Sequence, residues 1–435
     1  MDQFCVEGGK ALHGEVQIGG SKNATLPIMT ATLLAGGPVT LTNTPNLQDI
    51  RTMAAVLQIL GARVSVGDRS ITIDPRGFSK AEIPYDVVRK MRASVYVLGP
   101  MLARLRQARV SLPGGCAIGP RPIDLHIKGL RALGADLQLR HGYIEAAARQ
   151  GLQGSEMWLE GPAGSSVGAT CNVLMAAVMA RGTTVIHAAA LEPEVGDLVH
   201  FLVSLGARID GAGTSTLTIE GVDSLGGGSY RIAPDRIEAG TYMVAGAITG
   251  GDVRITDCRP DHLQTVIEKL AEVGAEVTVE DKAIRVRGGN LHHPIAIRTL
   301  PYPGFPTDMQ AQFTSMLAIV PGASTVTETI YPDRFIHVAE LNRMGASIAA
   351  HAGTATITGV KSLSAAPVMA SDLRASAALV LAGLIAKGTT RVLRVYHIDR
   401  GYEAIEKKLC ALGAVVRRVS SGQGPARSGS ESTTR

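Results

Sequence analysis

The chain is poor in aromatic side chains. Phe, Trp and Tyr make up 4% of its 435 residues, and Trp158 is the single tryptophan. A platform of stacked rings for single-stranded nucleic acid is therefore not expected. Cysteine is scarce too: Cys5, Cys116, Cys171, Cys258 and Cys410 are odd in number and widely spaced, with no CxxC pair. That pattern fits reduced thiols in a cytoplasm rather than a disulfide frame or zinc site, and no metal is expected. No apolar run approaches the roughly 20 residues of a membrane span. Met1–Lys10 lacks a charged stretch followed by an apolar one, so no secretory signal is expected there. Charge of one sign is not concentrated. Lys+Arg number 43 against 38 Asp+Glu, a net charge of +5 with no long basic block. Such a balance suits small anions better than a polyanion. The GxxxxGK[ST] spacing is missing, as is a GxGxxG with a following ribose acid, which disfavours nucleotide sites of those two kinds.

What the chain has is aliphatic and glycine-rich sequence: 45% hydrophobic residues and 50 glycines. Its length exceeds one ordinary core and suits two domains or a repeat array. A Gly-Ala pair closes an apolar helical stretch six times, at Gly61, Gly134, Gly206, Gly274, Gly345 and Gly413, with spacings of 73, 72, 68, 71 and 68 residues. Glycine there suits the left-handed residue that stops a helix, and a short β-type run follows each one. Six small-residue-rich helices keep the same period, starting near Lys22, Arg92, Ser166, Arg236, Asp308 and Arg374. Each unit reads helix, strand, helix, Gly-Ala stop, strand pair, which makes the fold class α/β. A unit near 70 residues is longer than the roughly 20–50 of common solenoids, so two globular domains of three units are expected. Gly226–Tyr230 lies where the chain could cross between them, and Ser420–Arg435 reads as a disordered tail.

The first turns of the six helices are polar, and four of them, at Lys22, Arg92, Arg236 and Arg374, carry lysine or arginine, which work against the helix dipole unless an anion binds there. Ile18–Asn23 reads as strand end, glycine turn and helix start, with Lys22 as a point charge beside close-approaching backbone. Leu112–Pro122 holds three glycines and three prolines, so it is a loop of the kind that acts as a lid. Cys116 sits on it, and Arg121 is placed to lower its pKa. The other four cysteines read as structural filler. Arg334 and Arg400 follow strands, and with Lys22, Arg92, Arg121 and Arg374 they could hold a phosphate and a carboxylate. Asp308 is the carboxylate among these cations; on sequence alone it reads first as a helix cap.

Eight ordered motifs resemble the UDP-N-acetylglucosamine 1-carboxyvinyltransferase family of enolpyruvyltransferases, from Phe4 to about Val419. They are Gly20–Ala24, Lys90–Ser94, Leu112–Cys116, Arg121–His126, Ser166–Thr170, Pro306–Gln310, Asp372–Ser376 and His397–Tyr402. The resemblance implies two inside-out α/β barrels, each of three βαβαββ repeats with pseudo-threefold symmetry and with the active site between them. Residues 22–232 would form the first, and residues 1–21 with 233–419 the second. It implies transfer of the enolpyruvyl group of phosphoenolpyruvate to the 3-hydroxyl of UDP-N-acetylglucosamine, with release of phosphate, by addition and elimination through a tetrahedral ketal. This is the first committed step of peptidoglycan synthesis.

By the same resemblance Cys116 donates the proton and Asp308 is the base. Lys22, Arg121 and Arg400 face the donor phosphate, and Arg334 and Arg374 face its carboxylate. Asn23 orients the sugar hydroxyl, Arg92 assists closure, and Asp372 positions these groups. The nucleotide sugar lies against Arg92, Arg121, Pro122, Ile123, Asp124, Leu125, Ser165, Ser166, Val167, Gly168, Asp308 and Ile330. The epoxide fosfomycin is expected to alkylate Cys116. No cofactor, nucleic acid or membrane partner is implied, and a cytoplasmic monomer or weak homo-oligomer is expected.

The sequence departs from the family pattern before Ser166, where Gly161–Ser165 lacks a lysine that some members use on the diphosphate, and at Tyr96 and Tyr331. Three alternatives stay open. One is 5-enolpyruvylshikimate-3-phosphate synthase, which the Cys116 loop and the Lys22-Asn23 pair disfavour. The others are a paralogue for another nucleotide acceptor and a catalytically silent ligand-binding repeat protein.

Overall fold

The computed structural model describes residues 2–88, 91–112, 123–162 and 164–420. Its framework is one motif repeated six times: a four-stranded sheet with one parallel edge strand and an antiparallel hairpin. In the first, Val39–Thr42 pairs in parallel with Gly228–Arg231 and antiparallel with Ser70–Asp74, whose other neighbour is Arg63–Gly67. Sheets centred on Gln107–Ser111 and Thr183–His187 repeat the arrangement. So do those centred on Asp252–Thr256 and Ala323–Thr327. In the sixth, Thr389–Leu393 takes its antiparallel neighbour from the chain start, Gln3–Glu7, which also pairs with Val415–Val419. Alternation explains the packing: Phe4 and Val6 of that strand are fully buried, and the residues between them are not.

Each sheet packs over helices of two kinds. The outer ones are amphipathic, such as Gln48–Ile59 and Gln264–Val273. The inner ones, such as Val167–Ala177, Arg236–Ile248 and Leu373–Ile385, are buried nearly all round. Alanine, glycine and threonine let these inner helices approach one another closely. The six Gly-Ala stops behave as the sequence pattern predicts: Gly61, Gly134, Gly206, Gly274, Gly345 and Gly413 all have φ between 88° and 112°, a region open to glycine at little cost.

The hydrophobic residues fall into two clusters. One gathers side chains from Ala24 to Ile232, the other those of Phe4–Ile18 together with Ile237–Val416. The chain passes between them twice, side by side. Ser21 N–H donates to Ala233 O at 2.8 Å, and Asp235 N–H donates to Gly19 O at 2.8 Å. A Cβ on Gly20 would lie 1.7 Å from Asn43 O, so no larger residue fits at this crossing. Gly226–Tyr230 is not itself the crossing point: Gly228–Arg231 is a strand against Val39–Thr42, and the passage follows at once. The architecture is two inside-out α/β barrels, each with sheets outside and apolar helices within.

Candidate active site

The helix starts bring their polar residues to the seam between the two clusters. Lys22 opens Lys22–Ala31, whose cap Ser21 accepts from Ala24 N–H at 3.3 Å. The Lys22 ammonium lies 3.4 Å from Asp49 Oδ2, and Asp49 also accepts from Arg400 Nε at 3.0 Å and Nη2 at 3.4 Å. Burial lowers the Lys22 pKa; Asp49 opposes that shift, the cations Arg374 and Arg400 add to it, and Asp308 opposes it in turn.

Asp308 stands in the short helical turn Thr307–Met309, but its side chain caps nothing. Two arginines claim the carboxylate instead: Arg334 Nη2 at 2.8 Å from Oδ1 and Arg374 Nη2 at 3.1 Å from Oδ2. Asn23 Nδ2 stands 3.4 Å from Oδ2. Burial acts to raise the Asp308 carboxyl, yet Arg374, Arg334 and Lys22 together hold it well below the usual carboxylate range. Asp372, by contrast, is a true cap: it accepts from Arg374 N–H at 2.9 Å and Ala375 N–H at 3.1 Å and so fixes the start of Leu373–Ile385. Both arginines are almost fully buried. Tyr402 Oη backs Arg374, accepting from its Nη1 at 3.1 Å.

Other expected residues sit on the segments 123–125 and 165–168, which abut one another, and at Ile330 beside Glu328. Ile123 precedes the helix Asp124–Ala132, on which Asp124 is exposed and Leu125 half-buried. A Cβ on Gly161 would touch Leu125 at 3.7 Å, and one on Gly168 would press on His126 Nε2 at 3.0 Å, so these segments abut. Ser165 ends the small hairpin Glu160–Gly161/Gly164–Ser165. Ser166 caps Val167–Ala177, accepting from Ala169 N–H at 3.3 Å. Ile330 N–H donates to Glu328 Oε1 at 2.9 Å. Cys116, Arg121, Pro122 and the Arg92 side chain lie outside the described residues, as does the 421–435 part of the expected tail.

Two groups escaped the sequence reading. Asp49 is the buried acid between two cations, and its signal was present: Asp49, Met53 and Val56 share the buried face of one helix. Glu328 accepts from Thr299 and Thr307 hydroxyls at 2.8 Å each and from the backbone of Ile330 and Tyr331, tying that loop to the Asp308 turn. Arg236, expected among the anion-facing helix starts, is buried against Glu194, with contacts of 3.0 and 3.2 Å from Nε and Nη2. It is neutralised within the protein. Among the other cysteines, Cys171 and Cys258 are buried as expected, and burial pushes the Cys258 thiol up to about 11. Cys410 is exposed rather than a core filler. No group of His, Cys, Asp and Glu among the described residues is arranged to hold a metal ion.

The fold and this cation-rich seam define a class first. An enolpyruvyl transferase structure from Streptomyces tendae superposes with a TM-score of 0.87 at 25% identity, over 96% of this chain and 98% of that one. EPSP synthase from Acinetobacter baumannii shares the fold, with a TM-score of 0.75 at 19% identity over 97% and 100% of the two chains. Residues 6–409 match the family model described as EPSP synthase (3-phosphoshikimate 1-carboxyvinyltransferase).

Relatives at higher identity narrow the assignment. The UDP-N-acetylglucosamine 1-carboxyvinyltransferase of Desulfosudis oleivorans is 54% identical over 97% of this chain and all of its own. That of Saccharophagus degradans is 53% identical over 96% of this chain and all of its own. The chain belongs to the UDP-N-acetylglucosamine 1-carboxyvinyltransferase family.

Proposed function

We propose that the protein transfers the enolpyruvyl group of phosphoenolpyruvate to the 3-hydroxyl of UDP-N-acetylglucosamine and releases phosphate, the first committed step of peptidoglycan synthesis. One observation carries the assignment of the site: Asp308 is held by two buried arginines and faces Asn23 across the seam. Arg334 and Arg374 match the carboxylate of a small anionic donor, since planar guanidinium forks bind carboxylates well. Lys22 and Arg400, with Arg121, face its phosphate. Clustered cations at the seam suit charge that develops during addition and elimination.

The chemistry balances through a tetrahedral ketal. The sugar oxygen bonds to carbon 2 of the donor as Asp308 removes the hydroxyl proton, and Cys116 gives a proton to carbon 3. In the second half carbon 3 loses a proton, the bond from carbon 2 to the phosphate oxygen breaks, and phosphate leaves. In the structure Asp308 is occupied as an ion-pair partner, which makes it a weak base. A donor carboxylate that takes Arg334 and Arg374 releases Asp308 and raises its basicity, so binding of the donor arms the base. Asn23 orients the acceptor hydroxyl, Asp372 fixes the Arg374 helix start, and Arg92 assists closure. The nucleotide lies along Arg121–Leu125, Ser165–Gly168 and Ile330.

The chain acts on small molecules. No helix among the described residues is long and apolar enough to cross a membrane. The substrates are those of a cytoplasmic enzyme, and a monomer or weak homo-oligomer suffices, because the seam draws on one chain. Reaction in deuterium oxide tests the route. Addition and elimination place deuterium in the vinyl methylene of the product, whereas a product free of deuterium rules the ketal out.

A further inference from the structure

Asp49 is a buried acid whose hydrogen-bonding partners among the described residues are two cations brought to it by different parts of the fold. It occupies the first turn of Gln48–Ile59, its side chain 5% exposed. Lys22, packed beside it, places its ammonium 3.4 Å from Oδ2. Arg400 arrives from the other hydrophobic cluster, through the turn Val395–Arg400, and lays its Nε and Nη2 edge on Oδ1 and Oδ2. A second bond joins the same segments, from Asn46 N–H to Glu403 Oε2 at 3.2 Å.

We infer that Asp49 is a positioning residue for the donor phosphate, which holds Lys22 and Arg400 on one buried carboxylate so that both present their remaining donors to the same point of the seam. The inference rests on the proposed donor site.

The geometry gives the mechanism. Asp49 engages the Nε/Nη2 edge of Arg400, and Nη1 has no hydrogen-bond partner among the described residues. An ammonium has three N–H bonds, and Asp49 takes one from Lys22. Two N–H bonds of Lys22 and three of Arg400 therefore remain for phosphate oxygens while Asp49 keeps its grip. Without that carboxylate two cations would face each other in a poorly solvated seam, where like charges repel strongly. Arg400 is 40% exposed and could swing into solvent. Asp49 prevents this before the donor arrives, so its part is preorganisation rather than contact with the reacting atoms. It also joins the two halves, so that the phosphate site is complete only when they are closed.

The alternative is that Asp49 is a stand-in anion which the phosphate must displace, and the two readings predict opposite signs. The test is steady-state kinetics of Asp49→Asn, Asp49→Glu and Arg400→Met, varying each substrate with the other saturating. Positioning predicts that Asp49→Asn raises KM for phosphoenolpyruvate at least tenfold, leaves KM for UDP-N-acetylglucosamine within about twofold, and weakens competitive inhibition by inorganic phosphate in parallel. Asp49→Glu, which keeps the charge, restores most of the donor affinity. Tighter donor or phosphate binding in Asp49→Asn, or no change in either, overturns the inference. Should Asp49→Asn not fold, Asp49→Ser, which also removes the charge, carries the test: a raised donor KM alone supports positioning, and two unchanged KM values overturn it. Arg400→Met separates this from the wider reading. If it too leaves donor KM unchanged, the donor site itself is misplaced.

Discussion

Asn23 Nδ2 stands 3.4 Å from Asp308 Oδ2, although 285 positions separate them. Ala24, next to Asn23, is buried in one hydrophobic cluster, and Met309, next to Asp308, is buried in the other. The contact therefore exists only while the halves are together. The roles proposed for them, an amide that orients a hydroxyl and a carboxylate that removes its proton, suit such a seam, where closure excludes water as it aligns the groups.

Asp308→Asn is expected to lower kcat by about 10²–10⁴-fold, the usual scale for a missing general base. Because the Asp308 carboxyl is held well below its usual value, it is ionised in the free enzyme at every ordinary pH. The loss should therefore appear as a near-constant factor in kcat/KM, which reports the free enzyme, from pH 5 to 9, not as a shifted acid limb. The same sign governs stability: the contribution of Asp308 is present above the usual carboxylate pKa and lost only as pH falls through the lowered one.

Cys116→Ser is expected to lose most turnover at neutral pH, since a hydroxyl is a far weaker acid than a thiol. Intact mass after incubation with fosfomycin should show one adduct on the unsubstituted protein and none on Cys116→Ser. An adduct on both would move the modification to another residue.

His337 gives an acid-sensitive element. It is buried, its Nε2 has no hydrogen-bond partner among the described residues, and burial lowers its pKa to about 4. Between about pH 6.5 and 4 the unfolded chain binds this proton and the folded one does not, so stability falls as pH falls through that window. His337→Phe should remove up to about 3 kcal/mol of the acid loss. Urea unfolding at pH 7 and pH 4.5, on the variant and the parent, measures the difference.

Two of the helix-stop glycines should respond differently to alanine. At Gly134, with φ of 88°, a Cβ meets nothing within 4 Å. Gly134→Ala should cost only backbone strain, about 1–2 kcal/mol. At Gly61, with φ of 106°, the same Cβ would fall 2.2 Å from Gly77 O. Gly61→Ala should be clearly worse, and paired thermal melts compare the two.

The repeated α/β unit was legible because it obeys local rules. A glycine must end each helix in the left-handed region, and small apolar residues must line the inner helices, so both recur at one period. Lys22 and Arg374 could be singled out because cations near buried helix starts conflict with the helix dipole unless something negative meets them, and Arg334 because it follows a strand. The identity of that partner was not legible. Arg236 looks like Arg374 in sequence, yet it is neutralised by Glu194, an acid 42 positions away whose approach depends on the closed seam. Glu328 and Asp49 were missed for the same reason: each reads as an ordinary polar residue until the tertiary fold surrounds it with donors. Asp308 read as a cap because a carboxylate at a helix start looks the same in sequence whether it caps the helix or pairs with cations, and only the distances to two arginines separate the cases.

The most direct measurement is phosphate release from phosphoenolpyruvate by the full chain, with UDP-N-acetylglucosamine, shikimate 3-phosphate and free uridine nucleotides offered in turn as acceptors. Release with UDP-N-acetylglucosamine alone, matched mole for mole by a vinyl ether on the sugar, is the expected result. Release with shikimate 3-phosphate or with a free nucleotide, or none with any acceptor, would contradict it.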